Sequence, residues 1–264
     1  MQQRKISMQL NFKTFGEGFP LIILHGLMGS LDNWQSIAKK LAEHFKVYII
    51  DQRNHGRSQH STEMSYAILS ADLLDFMHQQ QIERAHLIGH SMGGKTVMQF
   101  ALLHPEMVSK LVVVDITPAA IEDKHSAVFQ ALFKVDLATI TDRRQAEEIL
   151  RKGLDGDETT VQFLMKSLTR TDDGAGFTWR FNLPVLYQHY PEISAAIESS
   201  VPFMGHSLFI KGAKSGYITA TTYEKVIDLF PNNELLEIAD AGHWVHAEKP
   251  VEFTDGVLKF LRAV

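Results

Sequence analysis

Cysteine is absent from all 264 residues of the chain. That removes disulfides, thiolate metal sites and cysteine nucleophiles together, and it is compatible with a reducing compartment. No apolar run is long enough to span a bilayer, and the opening stretch MQQRKISMQLNF has no apolar core of signal-peptide length. No lysine- or arginine-rich block occurs, and 26 basic against 31 acidic residues leave a formal charge of −5, which gives no reason to expect nucleic acid. Repeats and low-complexity tracts are missing too. What is present is 45% apolar sequence, enough for one large α/β domain or a domain with a modest insertion. The expectation is a globular, soluble, cytoplasmic protein without membrane span, metal or cofactor; its oligomeric state is not specified.

The stretch around which the chain is organised is Ala85-His86-Leu87-Ile88-Gly89-His90-Ser91-Met92-Gly93-Gly94. A short apolar strand meets the start of a helix at Ser91, and Gly89 and Gly93 flank that serine in a G-x-S-x-G pattern, the nucleophile elbow. A serine oxygen standing clear of its backbone needs a sharp turn with positive φ at the apex. Such a turn crowds the residues two positions away, so they must be nearly free of side chain. Met92–Leu103 has apolar residues near helical spacing and ends before Pro105, as the pattern requires. The helix would also aim its N-terminal amides at negative charge developing beside Ser91.

Several further strands and helices follow the same logic. Ser7–Phe15 alternates and reads as an edge strand pair; Leu21–Leu24, Val47–Ile50, Leu111–Val114, Ser207–Ile210 and Glu234–Ile238 read as buried strands. Asp32–Phe45 has helical spacing, with Asp32 or Asn33 as the N-cap; Ser65–Gln79, Tyr223–Phe230 and Val251–Leu261 are further helices. Between Ala119 and about Val201 no β-branched run occurs. Helical segments there at Ala127–Phe133, Arg143–Lys152, Thr159–Leu168 and Asn182–Gln188 suggest an all-helical excursion over the end of the sheet.

Polar residues gather at the strand ends. His25-Gly26-Leu27 follows the first buried strand, and its Leu27 amide with that of Met92 would form an oxyanion hole; an ordinary strand-to-helix loop is the bland alternative. Asp51-Gln52-Arg53-Asn54-His55-Gly56-Arg57-Ser58 reads as scaffold held by charge pairing, with His55 structural rather than catalytic. Asp115 ends a buried strand, where open α/β sheets place functional groups, although an aspartate there can also cap a helix.

The order Ser91, Asp115, His243 is that of the α/β-hydrolases. HG after the third strand, D-x-R-x-x-G-x-S after the fourth, G-H-S-M-G-G at the elbow and G-H-x-x-x-x-E-x-P before the last helix resemble that family over essentially the whole chain. The resemblance implies an α/β-hydrolase fold: an eight-stranded, mostly parallel sheet flanked by helices, with a helical cap inserted between strands six and seven. Residues 1–118 and 203–264 would form the core and 119–202 the cap. His243, rather than His246, matches the family's catalytic base. Most members carry the acid after strand seven, where this chain has Ser215; Asp115 after strand six is the alternative seat, with Ser215 hydrogen-bonded to it or to His243. The pairing of Val-Asp-Ile-Thr-Pro with Gly-x-x-Ser, alongside Asp-x-Arg-Asn-His-Gly, is similar to the small bacterial YbfF-type esterases.

An elbow serine argues against dehalogenases and epoxide hydrolases of this fold, which use aspartate there. The leading expectation is a serine hydrolase of short- to medium-chain acyl esters, with acyl-CoA thioesters also considered, working through an acyl-Ser91 intermediate. A menaquinone-pathway-type lyase would use the same triad but would need Arg53, Arg57 or Arg180 to hold a polyanion. A slow-turnover receptor for a small ligand is the third reading. Met28, Met92, Ile116 and Trp244, each beside a catalytic element, are the expected acyl pocket.

Overall fold

Runs of branched apolar residues become the strands of one twisted sheet in the computed structural model, which describes residues 8–122 and 125–263. In chain order the strands are β1 (Phe12–Phe15), β2 (Pro20–Leu24), β3 (Lys46–Ile50), β4 (Ala85–His90), β5 (Val108–Val114), β6 (Leu168–Arg170), β7 (Phe177–Trp179), β8 (Ser207–Gly212) and β9 (Asn233–Ile238). Seven form a sheet in the order β1-β3-β2-β4-β5-β8-β9. Only β1 runs antiparallel to its neighbour.

The family pattern implies an eight-stranded sheet, and seven strands form the main sheet among the described residues. The pair expected over Ser7–Phe15 is one strand, because the residues before β1 bond to the 51–59 loop instead. Asn11 donates its amide to Ser58 Oγ (2.7 Å), and the Gln59 amide donates to the Gln9 carbonyl (3.1 Å). Ser7 itself lies outside the described residues.

The helices are α1 (Gln35–Leu41), α2 (Tyr66–Gln79), α3 (Met92–Leu103), α4 (Ser126–Phe133), α5 (Arg143–Gly153), α6 (Glu158–Met165), α7 (Leu183–Gln188), α8 (Tyr190–Ser194), α9 (Ala220–Leu229), α10 (Val245–Glu248) and α11 (Pro250–Arg262). Successive strand residues serve opposite faces. Ile22, Leu24, Tyr48, Leu87 and Val113 pack toward α2, α3 and α9, whereas Leu21, Ile23, Val47, Ile88 and Val112 pack toward α1 and α11. Both faces are covered, so the central strands read as continuous apolar runs rather than alternating ones. The turn before α1 is capped two residues before Asp32, the nearer of the two expected caps. Ser30 is its N-cap, with its amide donating to Asn33 Oδ1 (2.8 Å), while Asp32 is drawn outward to Lys13 and Arg180.

Between β5 and β8 the chain leaves the sheet. This segment is not all-helical: β6 and β7 form an antiparallel hairpin. Its strands are too short to show a period of two, and the Asp172-Asp173-Gly174 cluster that looks like a linker is the hairpin turn, with Gly174 at φ 71°. The helix expected over Thr159–Leu168 therefore stops at Met165, and Leu168 begins a strand. The segment has its own apolar cluster, including Phe129, Leu150, Leu164 and Trp179, which closes against Leu27, Met28 and Met92 at the C-terminal end of the sheet.

Candidate active site

Ser91 sits between β4 and α3 with φ 52° and ψ −116°, in the positive-φ conformation its position in the motif demands. The turn is held at both ends: the Ser91 amide donates to the Val114 carbonyl (3.0 Å), and its carbonyl accepts from the Lys95 amide (3.0 Å). A Cβ on Gly89 would lie 2.2 Å from the Gly93 carbonyl oxygen, and one on Gly93 would lie 2.5 Å from that of Leu24. Real Cβ atoms do not approach so closely, so the two glycines are what lets the elbow fold against β2.

Asp115 follows β5, wholly buried and also at positive φ (52°). Three donors converge on its carboxylate. The Gly212 amide binds Oδ1 at 3.1 Å, His243 Nδ1 binds Oδ2 at 2.7 Å, and the Ser215 hydroxyl also binds Oδ2. His243 lies in the loop between β9 and α10. With its Nδ1 proton given to a carboxylate, the ring presents Nε2 as an acceptor, an assignment made from the bonding pattern. Tyr217 stacks on the ring at 4.1 Å between centroids, and the His90 ring donates Nε2–H to the His243 carbonyl (2.9 Å). Ser91 and His243 line one cavity of about 370 Å³, between the sheet end and the inserted segment.

Two neutral histidines hold the Gly26–Met28 backbone that lines that cavity. His25 Nε2 accepts from the Gln52 amide (3.0 Å), so Nδ1 carries the proton and donates to the Gly26 carbonyl (2.8 Å). His55 Nε2 accepts from the Met28 amide (3.1 Å), and Nδ1 donates to the Arg53 carbonyl (2.9 Å). Burial lowers their pKa values to about 4 and about 3, respectively. His55 is thus a structural residue, its two ring nitrogens taken up by the Met28 amide and the Arg53 carbonyl. The Asp51–Ser58 loop is a scaffold of the expected kind, with Arg53 bidentate on buried Asp72 (2.5 and 2.7 Å).

Residues 20–250 match the family model described as alpha/beta hydrolase fold. The chain belongs to the α/β-hydrolase family. This hydrolase is 40% identical over 245 residues to esterase YbfF of Escherichia coli, covering 92% of this chain and 91% of that one. It is 39% identical over 259 residues to the sn-1-specific diacylglycerol lipase ABHD11 of Danio rerio, covering 95% and 81% of the two chains. Among solved structures it resembles a marine microorganism esterase with a TM-score of 0.93 and 40% identity, over 96% of this chain and all (100%) of the other.

Of the pocket residues expected from sequence, Met28 and Trp244 line the hydrolase's cavity together with Gly26 and Leu27. Ile116 does not. It is buried against α3, where its Cγ2 would lie 2.5 Å from a Cβ on Gly94, and it borders a separate cleft beside Thr117 and Tyr217. Met92 packs into the apolar cluster beneath the inserted segment, and as the first helical residue its amide has no intrahelical acceptor. His246 stacks on Trp34 at 4.0 Å and stays neutral, with burial lowering its pKa to about 3.

Glu248 has a role that its place in the motif did not reveal. Its carboxylate accepts from the amides of Gly242 (2.7 Å) and Trp244 (3.1 Å), the two neighbours of His243, and so fixes the loop that carries the ring. The glutamate of G-H-x-x-x-x-E-x-P was the available signal. Tyr217, in a loop with no recognisable pattern, had none. No lysine or arginine among the described residues lines the cavity: Arg53 is buried on Asp72, Arg57 is exposed, and Arg180 pairs with Asp32 at 3.0 Å.

Proposed function

We propose that this hydrolase cleaves carboxylic esters through an acyl-Ser91 intermediate, with His243 as base and then acid, and Asp115 as the group that orients and charges it. The observation that carries this reading is the 2.7 Å bond from His243 Nδ1 to buried Asp115, on a ring that shares its cavity with Ser91. Ser91 Oγ attacks the ester carbonyl while Nε2 takes its proton. The C–O bond then breaks, and the same proton leaves with the alcohol. Water repeats the cycle on the acyl-enzyme. The Leu27 and Met92 amides are the oxyanion donors in this reading; supporting it, His55 engages the neighbouring Met28 amide rather than that of Leu27, and Met92 is the first residue of α3, whose amide has no intrahelical acceptor. Residues 119–202 act as a cap over this site, with 1–118 and 203–264 as the core.

A cavity of about 370 Å³ is near the small end of ligand sites and suits a short to medium acyl group. Asp155 and Asp157 line it and no lysine or arginine among the described residues does, which favours a neutral ester over a polyanionic thioester and counts against the lyase reading. The names of the relatives, an esterase and a diacylglycerol lipase, point the same way. The test is turnover of a chain-length series of p-nitrophenyl esters beside acyl-CoAs, wild type against Ser91→Ala. Ester turnover abolished by the substitution is expected. A wild type inert toward both series would overturn the proposal.

A further inference from the structure

Lys95 is one of the largest side chains in the molecule with no exposure at all, and the ester mechanism makes no use of it. It stands one helical turn after Ser91 on α3, and its Nζ donates to the Ala119 carbonyl (2.8 Å) and the Ala195 carbonyl (2.5 Å). Those two residues lie where the inserted segment leaves the core and where it returns. The two roots are bonded to each other beside the lysine: the Ile197 amide donates to Pro118 (2.8 Å) and the Ile121 amide to Ser194 (2.8 Å). Tyr66, whose ring lies 5.8 Å from Nζ, donates its hydroxyl to the Ile193 carbonyl (2.7 Å) in the same place.

We propose that Lys95 is a positioning residue that ties both roots of the inserted segment to the helix carrying Ser91, and so fixes how the segment's wall of the cavity lies over the nucleophile. A long polar side chain is not kept inside an apolar helix interface for packing, since methionine would fill the same space without burying an amine. Burial lowers the pKa of Lys95 to about 7, and both its charged and neutral forms donate, so the tie holds through neutrality.

The opposite edge of the segment is held independently. There the Asn182 amide donates to the Asn54 carbonyl (2.8 Å), and Ser167 Oγ donates to the Met28 carbonyl (2.9 Å). Losing Lys95 therefore loosens one edge, leaving the Tyr66 bond there, and leaves the other edge as a hinge. Val128, Leu154, Phe163 and Leu164 of the cavity wall then move relative to Ser91.

The kinetic part of this inference rests on the ester-hydrolase reading; the mechanical part does not. The experiment is hydrogen–deuterium exchange and ester kinetics on wild type and Lys95→Met, which keeps the apolar stem and removes the donor. Exchange at the Ile121 and Ile197 amides is expected to rise by about tenfold or more, as when a buried charge-assisted bond is lost, while the Asn182 amide and α3 stay as in wild type. KM for a p-nitrophenyl octanoate ester is expected to rise severalfold, with kcat on the acetate changed by no more than about threefold. Unchanged exchange at the roots overturns the proposal, and so does a uniform rise over the whole chain, which would mark Lys95 as a stability residue only. Should Lys95→Met not fold, Lys95→Gln, too short to reach either carbonyl, is read by the same criteria. An inert wild type would defeat the hydrolase reading while leaving the exchange comparison to decide the tether.

Discussion

Asp115→Asn exchanges one carboxylate oxygen for an NH₂ group at a point where the Gly212 amide, the Ser215 hydroxyl and His243 Nδ1 all donate. An amide side chain has a single acceptor oxygen, so the three donors can no longer all be satisfied. The Gly212 amide belongs to β8 and cannot turn away, which keeps the oxygen on its side. The NH₂ then faces Ser215, whose hydroxyl can rotate to accept, and His243, whose Nδ1 must give up its proton to do so. The proton moves to Nε2, the atom that has to receive the Ser91 proton. The side chain keeps its size while the base is held in the wrong tautomer. A serine protease whose triad aspartate is neutralised in this way loses about 10⁴ in kcat, and a loss of that order is expected here. Ser215→Ala removes one donor and leaves the carboxylate with two. A hydrogen bond to a charged group contributes about 1.5–3 kcal/mol, and most of the loss would fall on stability, so kcat should fall no more than about tenfold. The assay is kcat on p-nitrophenyl acetate for wild type and both variants, with melting temperatures to show that each is folded. If Asp115→Asn retains activity within about tenfold of wild type, or if Ser215→Ala is the more damaging, the acid has been placed wrongly.

Glu248→Gln leaves only one of the amides beside His243 with an acceptor, and the ring should shift. Because misplacement of about 1 Å costs on the order of 10²-fold, a drop in kcat of about 10- to 100-fold with little change in KM is expected; an unchanged kcat would refute it. Trp244 lines the cavity against Phe163 (5.3 Å between rings), so Trp244→Ala should raise the octanoate-to-acetate ratio of kcat/KM by about tenfold, whereas equal losses on both esters would remove it from the acyl wall. His25 and His55 titrate in the folded protein at about 4 and about 3, against about 6.5 when unfolded. Below pH 6.5 the unfolded chain therefore binds more protons, so their stabilisation is complete above that pH and is lost as pH falls toward the folded values. The pair should cost about 4 kcal/mol between pH 6.5 and 4.5 in urea titrations. His86, His90 and His246 are lowered by burial as well and add to the same slope, so His55→Asn should remove about 2 kcal/mol of the loss, the share of one such group, and an unaltered slope would show that His55 is not one of its sources.

The parts of the fold that were legible are those specified by neighbours in sequence. Leu21–Leu24 and Leu111–Val114 are buried on both faces, and a short, branched apolar run bounded by turn residues is what a covered parallel strand uses. The elbow was legible for the same reason: Gly89 and Gly93 report a local clash. The β6–β7 hairpin was not, because each strand holds three residues and its pairing is decided by the apolar cluster around Trp179 rather than by its own pattern. Ser7–Phe15 misled in the other direction, since its alternation is real but residues 9 and 11 are paired with a loop and not with a strand.

At the site, residue types could be read and distances could not. A motif glutamate such as Glu248 is visible in sequence, but its two bonds to the flanks of His243 depend on the helical turn between them. Ile116 shows the opposite error: it follows a site residue directly, yet the positive φ of Asp115 throws the next side chain under α3 and away from the cavity. Lys95 is the hardest case. Its partners lie 24 and 100 residues further along, on the two roots of an insertion, and in sequence it looks like any lysine on a helix. A lysine one turn into a helix would ordinarily be solvated; here the inserted segment both leaves and returns past α3, and the Nζ that reaches both carbonyls is supplied by the elbow helix itself.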